Sequence, residues 1–237
     1  MSGRSDLRLD WCSNQAATYA CKRWHYSRSV PSWKKSRIGV WERGEFIGCL
    51  IFTNPMPPTV KRFQCKNTQI TELARVALRS HRSPVSRMIA IARKMLIRAN
   101  PGLLVMVSYA DSSQGHHGGI YQASGFDYFG AGKGTREFLM NGKWHHARSI
   151  GQDIKSGKLP KNAWKLPHRE SGVKHCYARL LGSARGYIIP MKPQPFPKRV
   201  RSDTSDTPGD QPGEGGATPT RTLHDSSDSL TGEEATR

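Results

Sequence analysis

Residues 72 to 108 constrain the fold more than any other part of the chain. The run ELARVAL at 72 to 78 alternates well enough for a strand. Ser83 then stands as an N-cap with Pro84 at the first helical position, and Met88, Ile89, Ile91, Ala92, Met95 and Leu96 repeat at helical spacing. Asn100-Pro101-Gly102 ends that helix, and Leu103 to Ser108 form the next strand. Strand, capped amphipathic helix and strand in this order make a βαβ unit with a right-handed crossover. The fold class that follows is α/β (α+β), a mixed sheet flanked by helices.

The second of these strands opens the stretch VMVSYADSSQGHHGGIYQASGF at 105 to 126, a strand, a turn and a short helix closed by Gly125. Such a strand delivers its last side chains to the crevice beyond the carboxyl end of the sheet, where ligands of open α/β sheets bind. Asp111 is placed there to do chemistry, or else to cap the next element through its carboxylate. The turn from Arg79 to Ser86 sets backbone N–H groups at a helix start among Arg79, His81, Arg82 and Arg87. It reads as an anion site suited to a pyrophosphate, or as an ordinary capped helix with a basic start.

Elsewhere, Ser13 to Tyr26 carries Ala16, Ala17, Ala20 and Trp24 at helical spacing and delivers Trp24-His25-Tyr26-Ser27 to its end. Ile38 to Trp41 and Phe46 to Phe52 form a hairpin across Glu42-Arg43-Gly44-Glu45, and Asn141-Gly142 is a second hairpin turn. A short helix is expected at 150 to 156, a proline-broken loop at 161 to 172 and a late strand at 174 to 181. From Pro190 the composition turns to Pro, Gly, Ser, Thr and Asp, too poor in apolar residues to offset its ordering entropy. Residues 1–190 therefore read as the folded domain and 191–237 as a disordered tail.

Charge narrows the partners. The whole chain is +19, but from Arg201 onward there are three Arg against eight Asp or Glu, a net of −5. The 34 basic and 10 acidic residues before that give the body +24, which makes nucleic acid the first partner and an anionic membrane surface the second. No run approaches the ~18 apolar residues of a membrane span, and MSGRSDLRLD lacks the apolar core of a signal peptide, so a cytoplasmic protein is expected. The candidates to hold a polyanion's backbone are Lys34, Lys35, Arg37, Lys61 and Arg62, joined by Lys155, Lys158, Lys161 and Lys165, the alternative being a dispersed solvating surface. Trp33 reads as stacking on a base or a lipid headgroup or as packing locally. Five scattered cysteines form no C-x-x-C pair and read as reduced packing residues.

The usual catalytic signatures are missing: there is no P-loop, no G-x-G-x-x-G, no H-E-x-x-H and no G-x-S-x-G. The adjacent pairs His116-His117 and His145-His146 diverge and neither alone makes a metal site. His25 and Asp111, brought together across the fold, would offer a general acid/base pair or two ligands of a mixed metal site.

The blocks CKRWHYS (21–27), IGVWERGEFIG (38–48), ELARVAL (72–78), SPVSRMIAIA (83–92) and SYADSSQGHHGGIYQASGF (108–126) together resemble the Mom family of bacteriophage DNA-modification proteins. The resemblance spans roughly residues 11 to 190 in five ordered blocks. It implies a GNAT acetyltransferase-like fold and conversion of adenine in double-stranded DNA to N6-carbamoylmethyladenine, which protects phage DNA from restriction. It implies acetyl-CoA or a related acyl donor held at Arg82 to Ser86, although Pro84 and serines stand where glycines usually bring backbone close to phosphate. Carried over by motif, the catalytic candidates are His25, Tyr26, Asp111 and Tyr121, and the cofactor-binding ones Arg75, Arg82, Ser83 and Ser86; a metal such as iron at His25 and Asp111 stays open. Two other readings remain: a non-catalytic basic DNA-binding module on the same fold, and an N-acetyltransferase acting on protein or a small amine.

Overall fold

The computed structural model describes residues 6–197 except Trp33, Thr135, Ser183 and Arg185. The expected stacking role of Trp33 and the tail beyond Pro197 lie outside the described residues.

The elements run in the order β1 Leu7–Trp11, α1 Asn14–Trp24, β2 Lys35–Glu42, β3 Glu45–Thr53, α2 Pro57–Arg62, β4 Ile70–Leu78, α3 Val85–Ala99 and β5 Val105–Asp111. A 3-10 turn at Ser112–Gln114 follows, then α4 Gly119–Ala123, β6 Asp127–Ala131, β7 Arg136–Met140, β8 Lys143–His146, α5 Ala147–Lys155, a second 3-10 turn at Lys161–Lys165, β9 His168–Glu170 and β10 Lys174–Leu180. Seven strands form one sheet in the order β1-β2-β3-β4-β5-β10-β6, and a separate small sheet has the order β8-β7-β9. The large sheet is antiparallel except at β4 and β5, the parallel pair joined through α3. A mixed sheet flanked by helices, as the sequence pattern and the resemblance both imply, is what the chain forms.

Strand alternation sorts the core into two faces. Leu50 and Phe52 of β3 pack with Met106 of β5 beneath Val85, Met88, Ile89, Ala92 and Leu96, the apolar stripe of α3. Cys49 and Ile51 turn the other way onto Ala17, Ala20 and Cys21 of α1, while Val105 and Val107 meet Phe63 just past α2. The β2–β3 hairpin closes through Arg43 and Gly44, both at positive φ (54° and 83°), the twist that a two-residue hairpin requires.

Several details depart from the sequence reading. Ser83 is not the cap of α3: Pro84 occupies that position and no side chain of the cap residue bonds the helix. The loop expected at 161–172 contains a 3-10 turn and β9, and β1 and α2 are elements that the sequence pattern does not announce. Beyond Pro190 the chain continues along the body as far as Pro197. There Gln194 bridges to Tyr128, Met191 packs against the Phe63 cluster, and the Phe196 ring stacks 6.5 Å from Tyr177.

Candidate active site

A split in the large sheet creates the site. β4 and β5 pair from Ile70–Val105 to Leu73–Ser108, and the Ser108 hydroxyl donates to the Leu73 carbonyl (2.7 Å) at that last rung. In the pairing with β3, Phe52 stands opposite Leu73 and Ile51 opposite Arg75, so Ala74 is the extra residue of a bulge. From there β4 follows β3, while Tyr109–Asp111 follow β10. The wedge between them is walled by Ala74, Arg75 and Val76 on one side and by Tyr109 and Ala110 on the other. His25 and Tyr26 close it from the end of α1, and His116, Ile120 and Tyr121 from the turn into α4.

His25 is set by helix termination. Ser13 caps the start of α1 by accepting from the Ala16 N–H (3.1 Å). At the other end, Arg28 at φ 51° folds its guanidinium back onto the carbonyls of Lys22 (2.6 Å) and Arg23 (3.0 Å). His25 is the C-cap residue, only 8% exposed, and the Ser27 backbone N–H donates to its Nδ1 (3.1 Å) with the Ser27 hydroxyl also 2.8 Å away. A backbone amide can only donate, so Nδ1 holds a lone pair and Nε2 carries the proton. Burial, then the charges of Arg75 and His116, hold the imidazole down at about 4. At neutral pH His25 is therefore a neutral hydrogen-bond donor.

The Tyr26 ring lies 4.4 Å from the His25 ring and meets His116 edge-on at 5.6 Å, with half its surface exposed. Burial first and Asp111 second push its phenol up, Arg75 opposing. Arg75 donates to the Ala74 carbonyl (2.7 Å) that the bulge leaves beside the wedge, and reaches the Ser29 carbonyl (3.4 Å). Tyr121 is buried against Tyr177 (5.4 Å) and Phe126 (5.7 Å). Gly118, at φ 84°, begins α4 so close to Tyr177 that an added Cβ would stand 2.3 Å from the ring.

Asp111 ends β5 at the rim of this wedge and makes the cap that was its alternative reading. Its Oδ1 accepts from the Ser113 N–H (3.0 Å) and the Ser113 hydroxyl (2.6 Å), shaping the turn that delivers His116. Those bonds use two of the roughly four acceptor positions of a carboxylate.

The cofactor candidates divide. Arg75 lies in the wedge, not at the helix start with Arg82, Ser83 and Ser86. The backbone N–H groups of Arg82 and Ser83, the donors expected to hold a phosphate, donate instead to the carboxylate of Glu42 (2.9 and 2.8 Å). Partial burial raises the Glu42 pKa, but bonds from the Ser83 side chain and the two amides, with the charge of His81, outweigh it and hold the carboxyl down at about 2. Ser86 instead lines a separate groove between α3 and α4 with Arg87, Arg93 and Arg179. Arg179 is tied to the Ser124 carbonyl there.

Among the expected DNA contacts, Lys34 and Lys61 are exposed. Lys35 donates to the Pro31 carbonyl (2.7 Å), Arg37 to the Cys12 carbonyl (3.4 Å), and Arg62 clasps the Phe129 carbonyl and the Met191 sulfur (3.0 Å). Arg62 thus fastens the segment at Met191 to β6.

Three residues escape the sequence reading. His116 enters the wedge, and the next carbonyl, that of His117, is held by the Tyr177 hydroxyl (2.5 Å). Tyr109 bonds Thr59 of α2 (2.8 Å). Glu72 lies at the base of the split, where burial pushes its carboxyl up against the pull of Lys174 and Arg75. Only the divergence within the His116-His117 pair is legible in the sequence. Among the described residues no three His, Cys, Asp or Glu side chains converge as metal ligands, and His25 Nδ1 is engaged by Ser27. The donor set does not fit a resident metal.

The model of the Mom protein family matches residues 6–204. The methylcarbamoylase Mom of Escherichia phage Mu is 27% identical over 209 residues, 83% of this chain and 86% of that protein. Among solved structures, an IAA acetyltransferase from Bacillus cereus ATCC 14579 aligns with a TM-score of 0.43 at 12% identity, over 74% of this chain and 99% of that one. A GNAT family acetyltransferase from Elizabethkingia anophelis with acetyl-CoA bound aligns at 0.38 and 9% identity, again over 74% and 99%.

Proposed function

The chain belongs to the Mom protein family, and from that premise we propose that it is a phage-type DNA-modifying transferase that converts adenine in duplex DNA to N6-carbamoylmethyladenine. The observation that supports this most is the wedge between β4 and β5, where one neutral imidazole, three tyrosines, an arginine and a second histidine meet. Aromatic rings and hydrogen-bonding groups lining one cleft suit a base, which stacks on its face and hydrogen-bonds at its edge. The strongly basic body supplies the attraction for a polyanion, and the work is done in the host cytoplasm. No helix among the described residues is long and apolar enough to cross a membrane.

In this reading the target base leaves the stack and enters the wedge, since chemistry at N6 within a duplex needs extrusion. Tyr26, half exposed at the mouth, lies along the base, and Tyr121 forms the floor. The adenine N6 lone pair is delocalised into the ring, so reaction needs a proton acceptor and close positioning. His25 is unsuited to be that acceptor because its Nε2 already carries a proton; it hydrogen-bonds to the base or to charge developing on the donor. Asp111 takes the proton. The N6 nitrogen forms a bond to the methylene carbon of the incoming carbamoylmethyl group, the bond from that same carbon to the sulfur of its carrier breaks with its electron pair so that a thiolate leaves, and N6 gives up one proton to Asp111. A plain acyl thioester, whose leaving group is on the carbonyl carbon, does not supply this step.

For the donor, the groove of Ser86, Arg87, Arg93 and Arg179 fits a phosphate-bearing carrier of the coenzyme A type, its sulfur bonded to the methylene carbon of the carbamoylmethyl group, better than the turn at Arg82 and Ser83, whose amides Glu42 fills. No step here passes through a metal. Mass spectrometry of nucleosides from cells expressing the protein tests the proposal. A carbamoylmethyl mass increment on deoxyadenosine, absent in His25→Gln, is expected; unmodified deoxyadenosine from cells making the intact protein would overturn it.

A further inference from the structure

Residues 136 to 170 form a knob inserted between β6 and β10 of the main sheet. It has its own small core: Phe138, Ile150 and Ala163 bury one another with Met140, Ile154, Leu159 and Leu166 packed around them. The main sheet is complete without it, since β6 and β10 pair directly.

The knob turns basic residues outward. It holds eight Lys or Arg against three Asp or Glu, and Glu137 is bound by Arg169 (2.9 Å). Between 147 and 166 the single acid is Asp153, while Lys155, Lys158, Lys161 and Lys165 are all exposed. None of the ion pairs among the described residues uses those four lysines. A face that merely solvates a helix intersperses both signs; four lysines within eleven residues, at the end of α5 and along the turn after it, concentrate one. Beside them Trp164 is 45% exposed, its ring held edge-on to Phe138 at 5.3 Å.

The knob's roots fix its position relative to the wedge. The Ser112 N–H donates to the Val173 carbonyl (3.0 Å) and the Gly132 N–H to the Lys174 carbonyl (2.9 Å). Gly172 lies so close to the turn after Asp111 that a Cβ there would stand 2.4 Å from the Ser113 nitrogen. Both stems therefore leave the sheet at the end where Asp111 lies on the wedge's rim.

We infer that the inserted knob is the duplex-DNA grip of this protein, its four exposed lysines on phosphates and the Trp164 ring against the sugar edge, holding the helix so that a neighbouring base reaches the wedge. This rests on the DNA reading above and adds to it which surface takes the duplex. Lys35, Arg37 and Arg62 each give part of their donors to the protein itself, to carbonyls and, for Arg62, also to the Met191 sulfur.

Duplex binding by fluorescence anisotropy across a salt series, with the full chain and the variant K155Q/K158Q/K161Q/K165Q, tests it. Removing four lysine–phosphate bonds should flatten the plot of log affinity against log salt by roughly three to four and cut affinity at least tenfold at low salt, with an unchanged thermal melt. Lysine acylation of the unmodified protein, read by peptide mass spectrometry, should show these four lysines protected by duplex. If the intact protein fails to bind duplex, the DNA reading itself falls. If it binds and the variant binds with the same slope, or the lysines stay reactive in the complex, the grip lies elsewhere and only this inference is overturned.

Discussion

A single backbone amide decides what His25 can do. Because the Ser27 N–H occupies Nδ1 and burial holds the ring neutral down to about pH 4, protonating it would cost that hydrogen bond and strand a charge beside Arg75. An unfolded chain would take the proton near pH 6.5, so the unfolded state binds more protons between the two values and stability falls as pH drops from about 6.5 to 4. The expected contribution is roughly 3 kcal/mol at the acid end. His25→Gln, compared with the parent by denaturant melts at pH 7 and pH 4.5, should shrink that difference; an identical pH slope would contradict the assignment. Asp111 has two tasks that substitution separates. Asp111→Asn keeps an acceptor for the Ser113 N–H and should leave stability within about 0.5 kcal/mol while abolishing modification, whereas Asp111→Ala should also cost about 1 kcal/mol. Full modification by Asp111→Asn would leave it only the cap. The sequence leaves both readings open, and the structure adds the cap without removing the other, because the carboxylate retains acceptor capacity facing Tyr26.

At the scale of elements, the parallel pair and its crossover helix are legible because ELARVAL, the stripe of α3 and the apolar run of β5 each carry a strong period. The split between β4 and β5 is not, since it depends on one bulged residue, Ala74, whose type carries no signal. β9, only three residues long, and α2, opening on Pro57-Pro58, are too short for periodicity to reveal. The approach to α3 differs from its sequence reading for another reason: the N–H groups of Arg82 and Ser83, in the turn just before the helix, are bound by Glu42, about forty residues away, a contact that no local pattern reports. Glu42→Ala should therefore destabilise the fold by about 1 kcal/mol through loss of the two bonds that hold this turn, and calorimetry should show its affinity for coenzyme A unchanged, because the donor lies in the groove of Ser86, Arg87, Arg93 and Arg179. Tighter binding by the variant would mean that the freed amides take the phosphate and that the donor lies at this turn instead.

For the whole molecule, the charge asymmetry is the most direct message of the sequence, yet its spatial meaning needs the fold. Basic clusters chosen by proximity in sequence are partly spent on carbonyls, while the lysines of the inserted knob face solvent. A +24 body should bind duplex DNA with an affinity that drops steeply between 50 and 200 mM salt, about 10³-fold or more if six or more phosphates are contacted; a flat salt dependence would argue against phosphate-led binding. The central claim is that adenine is modified in the wedge between β4 and β5, and photocrosslinking tests it most directly. A duplex carrying a photoreactive adenine analogue, irradiated in complex with the protein and mapped by peptide mass spectrometry, should attach to Tyr26, His116 or Tyr121. Attachment confined to the groove of Ser86, Arg87 and Arg93 would contradict the account.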